Sequence, residues 1–125
     1  MSMKKENKKI IIIDDDKIFS ETLASILKLS NFEVFEEQTA ESGFEAIVNV
    51  NPNLVLLDIN LPDKSGFEVL AAIKNSDKFS DIPVFLITGD TAVDIDKAFE
   101  KGADDCLFKP INSDDAIKRI KKALG

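Results

Sequence analysis

Four apolar runs in this chain end in groups able to handle a phosphoryl group: Asp14, Asp15 and Asp16 follow Ile10–Ile13, Asp58 follows Leu54–Leu57, Thr88 follows Val84–Ile87, and Lys109 follows Cys106–Phe108. Carboxylates brought together repel, by about 4 kcal/mol per pair at ~4 Å and an effective dielectric near 20. A divalent cation offsets that repulsion. An oxygen-only donor set favours Mg²⁺, which takes one or two carboxylates, keeps several waters and engages phosphate oxygens. A remaining carboxylate can attack phosphorus as a nucleophile. A hydroxyl and an ammonium can donate to the phosphoryl oxygens as charge builds on them. Together these are the parts of phosphoryl transfer onto an aspartate. Each residue alone has a plainer explanation: aspartates after strands commonly cap helices, and Asp16 is read as such a cap. A single threonine at a strand end is usually structural, and a single lysine usually a solvated charge. Only joint placement gives them chemistry.

For these groups to meet, the runs that carry them must lie side by side. Apolar runs at Ile10–Ile13, Phe32–Phe35, Leu54–Leu57, Val84–Ile87 and Cys106–Phe108 alternate with stretches of helical spacing. The spacing predicts a first helix over Lys17–Leu29, with Phe19, Leu23, Ile26, Ile18 and Leu27 near one side. A second covers Ala40–Val48, with Phe44, Ile47 and Val48 as its apolar side. The third starts at Ser65, where Ser65 and Glu68 have capping-box spacing before Val69, Leu70 and Ile73. The fourth starts near Thr91, with Asp94 three residues on, and stops at Gly102. The fifth starts at Ser113 and carries Ile117, Ile120 and Leu124, with Lys118, Arg119, Lys121 and Lys122 suiting its negative dipole end.

Strand-then-helix, repeated five times, predicts an α/β fold: a doubly wound, five-stranded parallel sheet with five helices on its two faces. The first, third and fourth runs are almost continuously apolar, as expected when both sheet faces are covered. The second is interrupted by Glu33 and Glu36 and is expected at an edge. Open parallel sheets bind ligands beyond the carboxyl ends of their strands. That rim is where the acidic, hydroxyl and ammonium groups fall.

With 125 residues there is room for one domain, preceded by a lysine-rich tail over residues 1–9. A net charge of −7 argues against nucleic acid as a direct partner. The longest apolar run, about five residues, falls far short of the ~20 that span a bilayer. The start has no signal-like apolar core, so a cytoplasmic location is expected. Histidine is absent, which excludes histidine catalysis by this chain. The single cysteine, Cys106, is read as a small buried hydrophobe.

The motifs IIIIDDD (Ile10–Asp16), LVLLDINLPDKSG (Leu54–Gly66), VFLITG (Val84–Gly89) and GADDCLFKP (Gly102–Pro110) resemble the receiver domains of bacterial two-component response regulators. They follow that family's order and spacing over nearly the whole chain. The resemblance implies a flavodoxin-like (βα)5 fold with strand order 2-1-3-4-5 and a receiver domain over residues 10–125. It implies Asp58 as phospho-acceptor and Mg²⁺ as cofactor. Asp15 would be the direct metal ligand, with Asp14 acting mainly through water, and Asp58 and the Asn60 backbone carbonyl would complete the protein's share. Thr88 would be the switch hydroxyl, and Lys109, ahead of a cis Lys109–Pro110 peptide, would pair with the acceptor's charge. Pro62 and Gly66 fit the loop after the acceptor strand. Gly89 leaves the phosphoryl site open, while Asn60 and Asp90 sit where family members tune dephosphorylation.

The resemblance further implies a sensor histidine kinase or histidine phosphotransfer protein as donor, and a downstream protein or output domain as target. Catalysis would be limited to the chain's own Mg²⁺-dependent phosphorylation and dephosphorylation, so the protein is read as a switch and not as a metabolic enzyme. It would be a stand-alone receiver or one cut from a longer regulator. A phosphorylation-dependent dimer through the fourth and fifth helices stays open, because their polar faces show no decisive patch.

One position departs from the family pattern. Cys106 stands where the family has Tyr or Phe, whose ring turns inward on activation, and a thiol cannot reproduce that motion. Phe108 shares its strand face by alternation and is the candidate substitute. The strongest rival reading is a haloacid-dehalogenase-like phosphatase with Asp14 as nucleophile and Asp16 as acid/base. It leaves Asp58 and Leu61–Pro62 unexplained, and it needs Asp104–Asp105 to follow the apolar strand that they precede. A flavin-binding module is disfavoured because its first loop must cradle phosphate, and here that loop holds three carboxylates.

Overall fold

Strands β1 (Lys9–Ile13), β2 (Glu33–Glu37), β3 (Leu54–Asp58), β4 (Val84–Thr88) and β5 (Asp105–Phe108) form one parallel sheet in the order β2-β1-β3-β4-β5. This is a computed structural model, and it describes residues 7–90, 92–93 and 95–125. The order is the one expected, and β2 lies at the edge. Side chains alternate across each strand, so the sheet divides its apolar residues between two cores. Ile11, Ile13, Val55, Leu57, Leu86 and Cys106 face one way, with Ile47, Leu70 and Ala98 packed over them. Ile10, Ile12, Leu56, Phe85, Ile87 and Leu107 face the other way, under Leu23, Leu27 and Ile120. Two covered faces account for the continuous apolar runs.

The covering helices are α1 (Lys17–Leu29), α2 (Ala40–Val50), α3 (Gly66–Lys74), α4 (Ile95–Glu100) and α5 (Ser113–Leu124). Asp16 caps α1, its carboxylate accepting from the Phe19 N–H. The predicted capping box of Ser65 and Glu68 opens α3. Gly102, at φ 105°, ends α4: its N–H donates to Phe99 O and that of Ala103 to Ala98 O. This is a Schellman closure, and the left-handed backbone there suits glycine. The predicted start of α4 at Thr91, with Asp94, lies outside the described residues.

Two side-chain assignments are corrected. Ile18 is 79% exposed, because the buried stripe of α1 is Ser20, Leu23, Ala24 and Leu27, and Ile18 falls on the opposite side of the helix. Val48 is also exposed, since α2 buries Ala40, Gly43 and Ile47 and Val48 lies round the helix from them. Gly43 lets α2 approach β1 closely: a Cβ there would come within 2.6 Å of the Ile13 side chain.

Two contacts that span the sequence fix the connections. Asp63, in the loop after β3, accepts from the Ala40 and Glu41 N–H groups at 2.8 and 3.0 Å, which holds its carboxyl below the usual range. At the other end of the sheet, Lys74 Nζ donates to Ile82 O at 2.8 Å and to Asp104 Oδ2 at 3.0 Å. The same Asp104 oxygen accepts from Val84 N–H at 2.8 Å. Lys74→Met removes the ammonium but keeps the stem, leaving the Ser80 and Ile82 carbonyls and a carboxylate short of a partner. It is expected to cost about 1–2 kcal/mol, read as a lower urea midpoint with unchanged slope.

Candidate functional site

Parallel pairing places the carboxyl ends of β1, β3, β4 and β5 along one rim. Asp14 follows β1 and is fully buried. Its N–H donates to Glu37 O at 2.9 Å, which extends the strand path, while its Oδ1 accepts from Asp16 N–H at 2.8 Å. Asp15 is exposed beside it. Asp58 closes β3, 6% exposed, with Oδ1 accepting from Asn60 N–H at 3.1 Å. Carboxylate oxygens of Asp14, Asp15 and Asp58 all lie within 4.8 Å of one another, the one such acidic group among the described residues.

Lys109 enters this cluster from the end of β5, where its backbone N–H donates to Thr88 O at 2.8 Å. Its Nζ stands 2.8 Å from Asp14 Oδ2 and 3.8 Å from Asp58 Oδ2. The expected pairing with the acceptor is therefore shared, and Asp14 is the nearer partner. The Asp14 contact is ionic without hydrogen-bond alignment, so that buried Oδ2 has no hydrogen-bond donor among the described residues. The Lys109–Pro110 peptide is cis, as the resemblance implied.

Burial pushes the Asp58 carboxyl up to about 6, and the Asp14 carboxylate pushes the same way; the Asn60 N–H and the Lys109 ammonium pull against them. Burial thus disfavours the ionised Asp58 even with Lys109 in place. A buried carboxylate oxygen without a donor, two further carboxylates in reach and an all-oxygen donor set fit a small hard cation such as Mg²⁺.

Thr88 closes β4 and is fully buried, its Oγ1 accepting from Asp90 N–H at 3.0 Å. Asn60 is exposed and bridges to Ser65 across the loop after β3. Gly66 sits under that loop, and a Cβ on it would press on the Asp58 carbonyl and come within 2.7 Å of Ile59 Cα. Gly89 is different: among the described residues a Cβ there would meet nothing nearer than Lys109 Cβ at 4.0 Å, so none of them fills the space beside the lysine. Cys106 is buried in the core with its thiol pushed up by burial, while Phe108 is 39% exposed.

Sequence reasoning assigned Phe19 to the core side of α1. Its ring is half-buried there, and it also carries the Lys109 Nζ at 4.3 Å from its centroid. No local pattern signals a contact between residues so distant in sequence. The phosphatase alternative is not supported. Asp104 and Asp105 lie at the amino ends of β4 and β5, bonded to Val84 and Arg119, at the opposite end of the sheet from Asp14. Asp16 is occupied as a helix cap.

Comparison with known proteins identifies the family to which this fold belongs. The family model described as "Response regulator receiver domain" matches residues 10–121. The chain is 41% identical over 120 residues to the transcriptional regulatory protein CpxR homolog of Haemophilus influenzae, covering 93% of this chain and 50% of that protein. It is 35% identical over 118 residues to chemotaxis protein CheY of Listeria monocytogenes, covering 92% and 97% respectively. The chain thus spans about half the length of the first relative and nearly all of the second. The solved structure of a CheY-like response regulator receiver domain protein from Methanospirillum hungatei superposes with a TM-score of 0.87 at 32% identity, covering 94% of each chain. The chain belongs to the response regulator receiver domain family of two-component signalling.

Proposed function

We propose that this chain is a phosphorylation-driven switch that takes a phosphoryl group from a partner's phosphohistidine onto Asp58. The observation that carries the proposal is the meeting of Asp14, Asp15 and Asp58 within 4.8 Å, with the Lys109 ammonium against two of them. An Asp58 carboxylate oxygen attacks phosphorus, the phosphorus–nitrogen bond breaks, and its electron pair leaves with the donor imidazole. The product is an acyl phosphate on Asp58. Asp15 directly, Asp14 mainly through water, Asp58 itself and the Asn60 carbonyl would hold Mg²⁺, which supplies charge neutralisation for the crowded carboxylates and the phosphoryl oxygens.

The chain's own groups do the rest. Burial keeps Asp58 more basic than an exposed aspartate, and basicity favours nucleophilicity once the proton is gone. Lys109 donates to the phosphoryl oxygens. Thr88, whose hydroxyl now accepts from Asp90, turns towards the phosphoryl group and carries the change into the loop before α4. The open space at Gly89 admits the donor and later the hydrolytic water. With Cys106 buried and Phe108 part-exposed on the same strand, Phe108 is the ring available to follow Thr88.

A sensor histidine kinase or histidine phosphotransfer protein is the donor, and a downstream protein or output domain reads the switched surface. Cytoplasmic action fits these partners; no helix among the described residues is long and apolar enough to cross a membrane. Beryllofluoride, a phosphoryl mimic, tests the reading directly. With Mg²⁺ it is expected to shift the amide resonances of Asp58, Thr88 and Lys109, and without Mg²⁺ it should shift none of them. Amide spectra that ignore beryllofluoride and Mg²⁺ together would overturn it.

A further inference from the structure

Lys109 reaches the site on a flexible stem, and its ammonium is paired ionically with two carboxylates. Asp14 lies on one side of its ammonium and Asp58 on another, while the space at Gly89 is open. A point charge on four methylenes loses considerable rotamer freedom when it is kept in one place. One more group touches it: the Phe19 ring, with the ammonium 4.3 Å from its centroid.

The geometry points to Phe19 as a positioning residue that keeps the Lys109 ammonium between Asp14 and Asp58, and this role rests on the phosphotransfer reading of the site. The negative face of an aromatic ring attracts a cation, most strongly where water is excluded. The Phe19 backbone is fixed by the N-cap bond to Asp16, 3.1 Å from its N–H. Its side chain packs against the core that Leu23, Leu27 and Leu107 form, which fixes the ring as well. Leu23, Ile26, Pro110 and Ile111 join it in lining a small apolar groove, so the segment just after Lys109 is seated on the same helix as the ring. Ring and lysine are therefore located by one joint between α1 and the end of β5. An aliphatic side chain could fill the same volume, but it has no charge-attracting face.

The test compares Phe19→Leu and Phe19→Met with Phe19→Tyr in the full chain. Two quantities are read: the rate of Mg²⁺-dependent phosphorylation by acetyl phosphate, and the proton resonances of the Lys109 ε-methylene. In wild type and Phe19→Tyr, the ring current displaces those resonances upfield. In the aliphatic variants they are expected to return towards free-lysine positions, and phosphorylation to slow about three- to tenfold with a thermal midpoint near that of wild type. Restoration by tyrosine separates the charge-attracting face from simple packing. An aliphatic variant that reacts at the wild-type rate, or leaves the Lys109 resonances where they were, overturns the inference. A wild-type chain that takes no phosphoryl group defeats the functional reading instead, and the resonances still decide whether the ring holds the lysine.

Discussion

Asp58→Asn is expected to abolish phosphorylation by acetyl phosphate and, in the absence of Mg²⁺, to make the domain more stable at neutral pH. The amide cannot form an acyl phosphate, so the loss of labelling should be complete. The gain in stability comes from charge. The folded-state carboxyl titrates at about 6 against a reference of 3.8, so folding favours its protonated form. Below the reference value both states hold the proton and nothing is lost. As pH rises the unfolded chain releases its proton first, and stability falls until the folded carboxyl has ionised too. Above about 6 the folded protein carries the whole penalty, about 2–3 kcal/mol. Asparagine removes it. Urea unfolding in EDTA at pH 7.5 should show the variant more stable by about 1–3 kcal/mol, while at pH 4 the two proteins should converge. Continued labelling of the variant, or lower stability than wild type at pH 7.5 without metal, would refute this account.

Gly66→Ala separates helix propensity from packing. Gly66 is the first residue of α3, where alanine is the better helix former by up to about 1 kcal/mol. Propensity alone therefore expects a gain. The added methyl would instead press on the Asp58 carbonyl and lie 2.7 Å from Ile59 Cα, against backbone that has no rotamer to change. The loop must move, at a cost of about 2–3 kcal/mol, and Asp58 moves with it. The expected result is a destabilised domain whose Mg²⁺-dependent phosphorylation falls well below that of wild type. Gly89→Ala is the internal control for the fold, because its methyl would meet no described residue nearer than 4.0 Å and should leave the urea midpoint nearly unchanged. The chain has neither tryptophan nor tyrosine, so amide NMR is the suitable monitor of the acidic site. A Gly66→Ala protein as stable as wild type would show that the loop yields easily.

Most of the architecture was legible because it is periodic. Apolar runs with both faces covered marked β1, β3 and β4, and the predicted ends of α1 at Lys17 and Leu29 are those observed. The rim was legible for a topological reason: in a parallel sheet every strand delivers its last residue to the same side, so the residues at the carboxyl end of each run assemble the site. Contacts between distant loops left no such trace. Nothing near Asp63 announces that it binds the first amides of α2, and nothing near Phe19 announces a lysine over its ring. Side-chain direction was the other weak point. Ile18 satisfies an apolar spacing with its neighbours yet lies opposite the residues α1 buries, because several stripes fit so short a helix.

The clamp made by Lys74 gives the domain unequal poles. At one, an ammonium, two backbone carbonyls, an amide and the Asp104 carboxylate satisfy one another, tying α3 to the loops before β4 and β5. At the other, three carboxylates crowd together, one lysine pairs with two of them, and one buried oxygen lacks a hydrogen-bond donor among the described residues. A chemical event at the second pole therefore works against an anchored base. Motion started there would pass outward along the loops that rise from the rim, with the foot of the sheet as its fixed point.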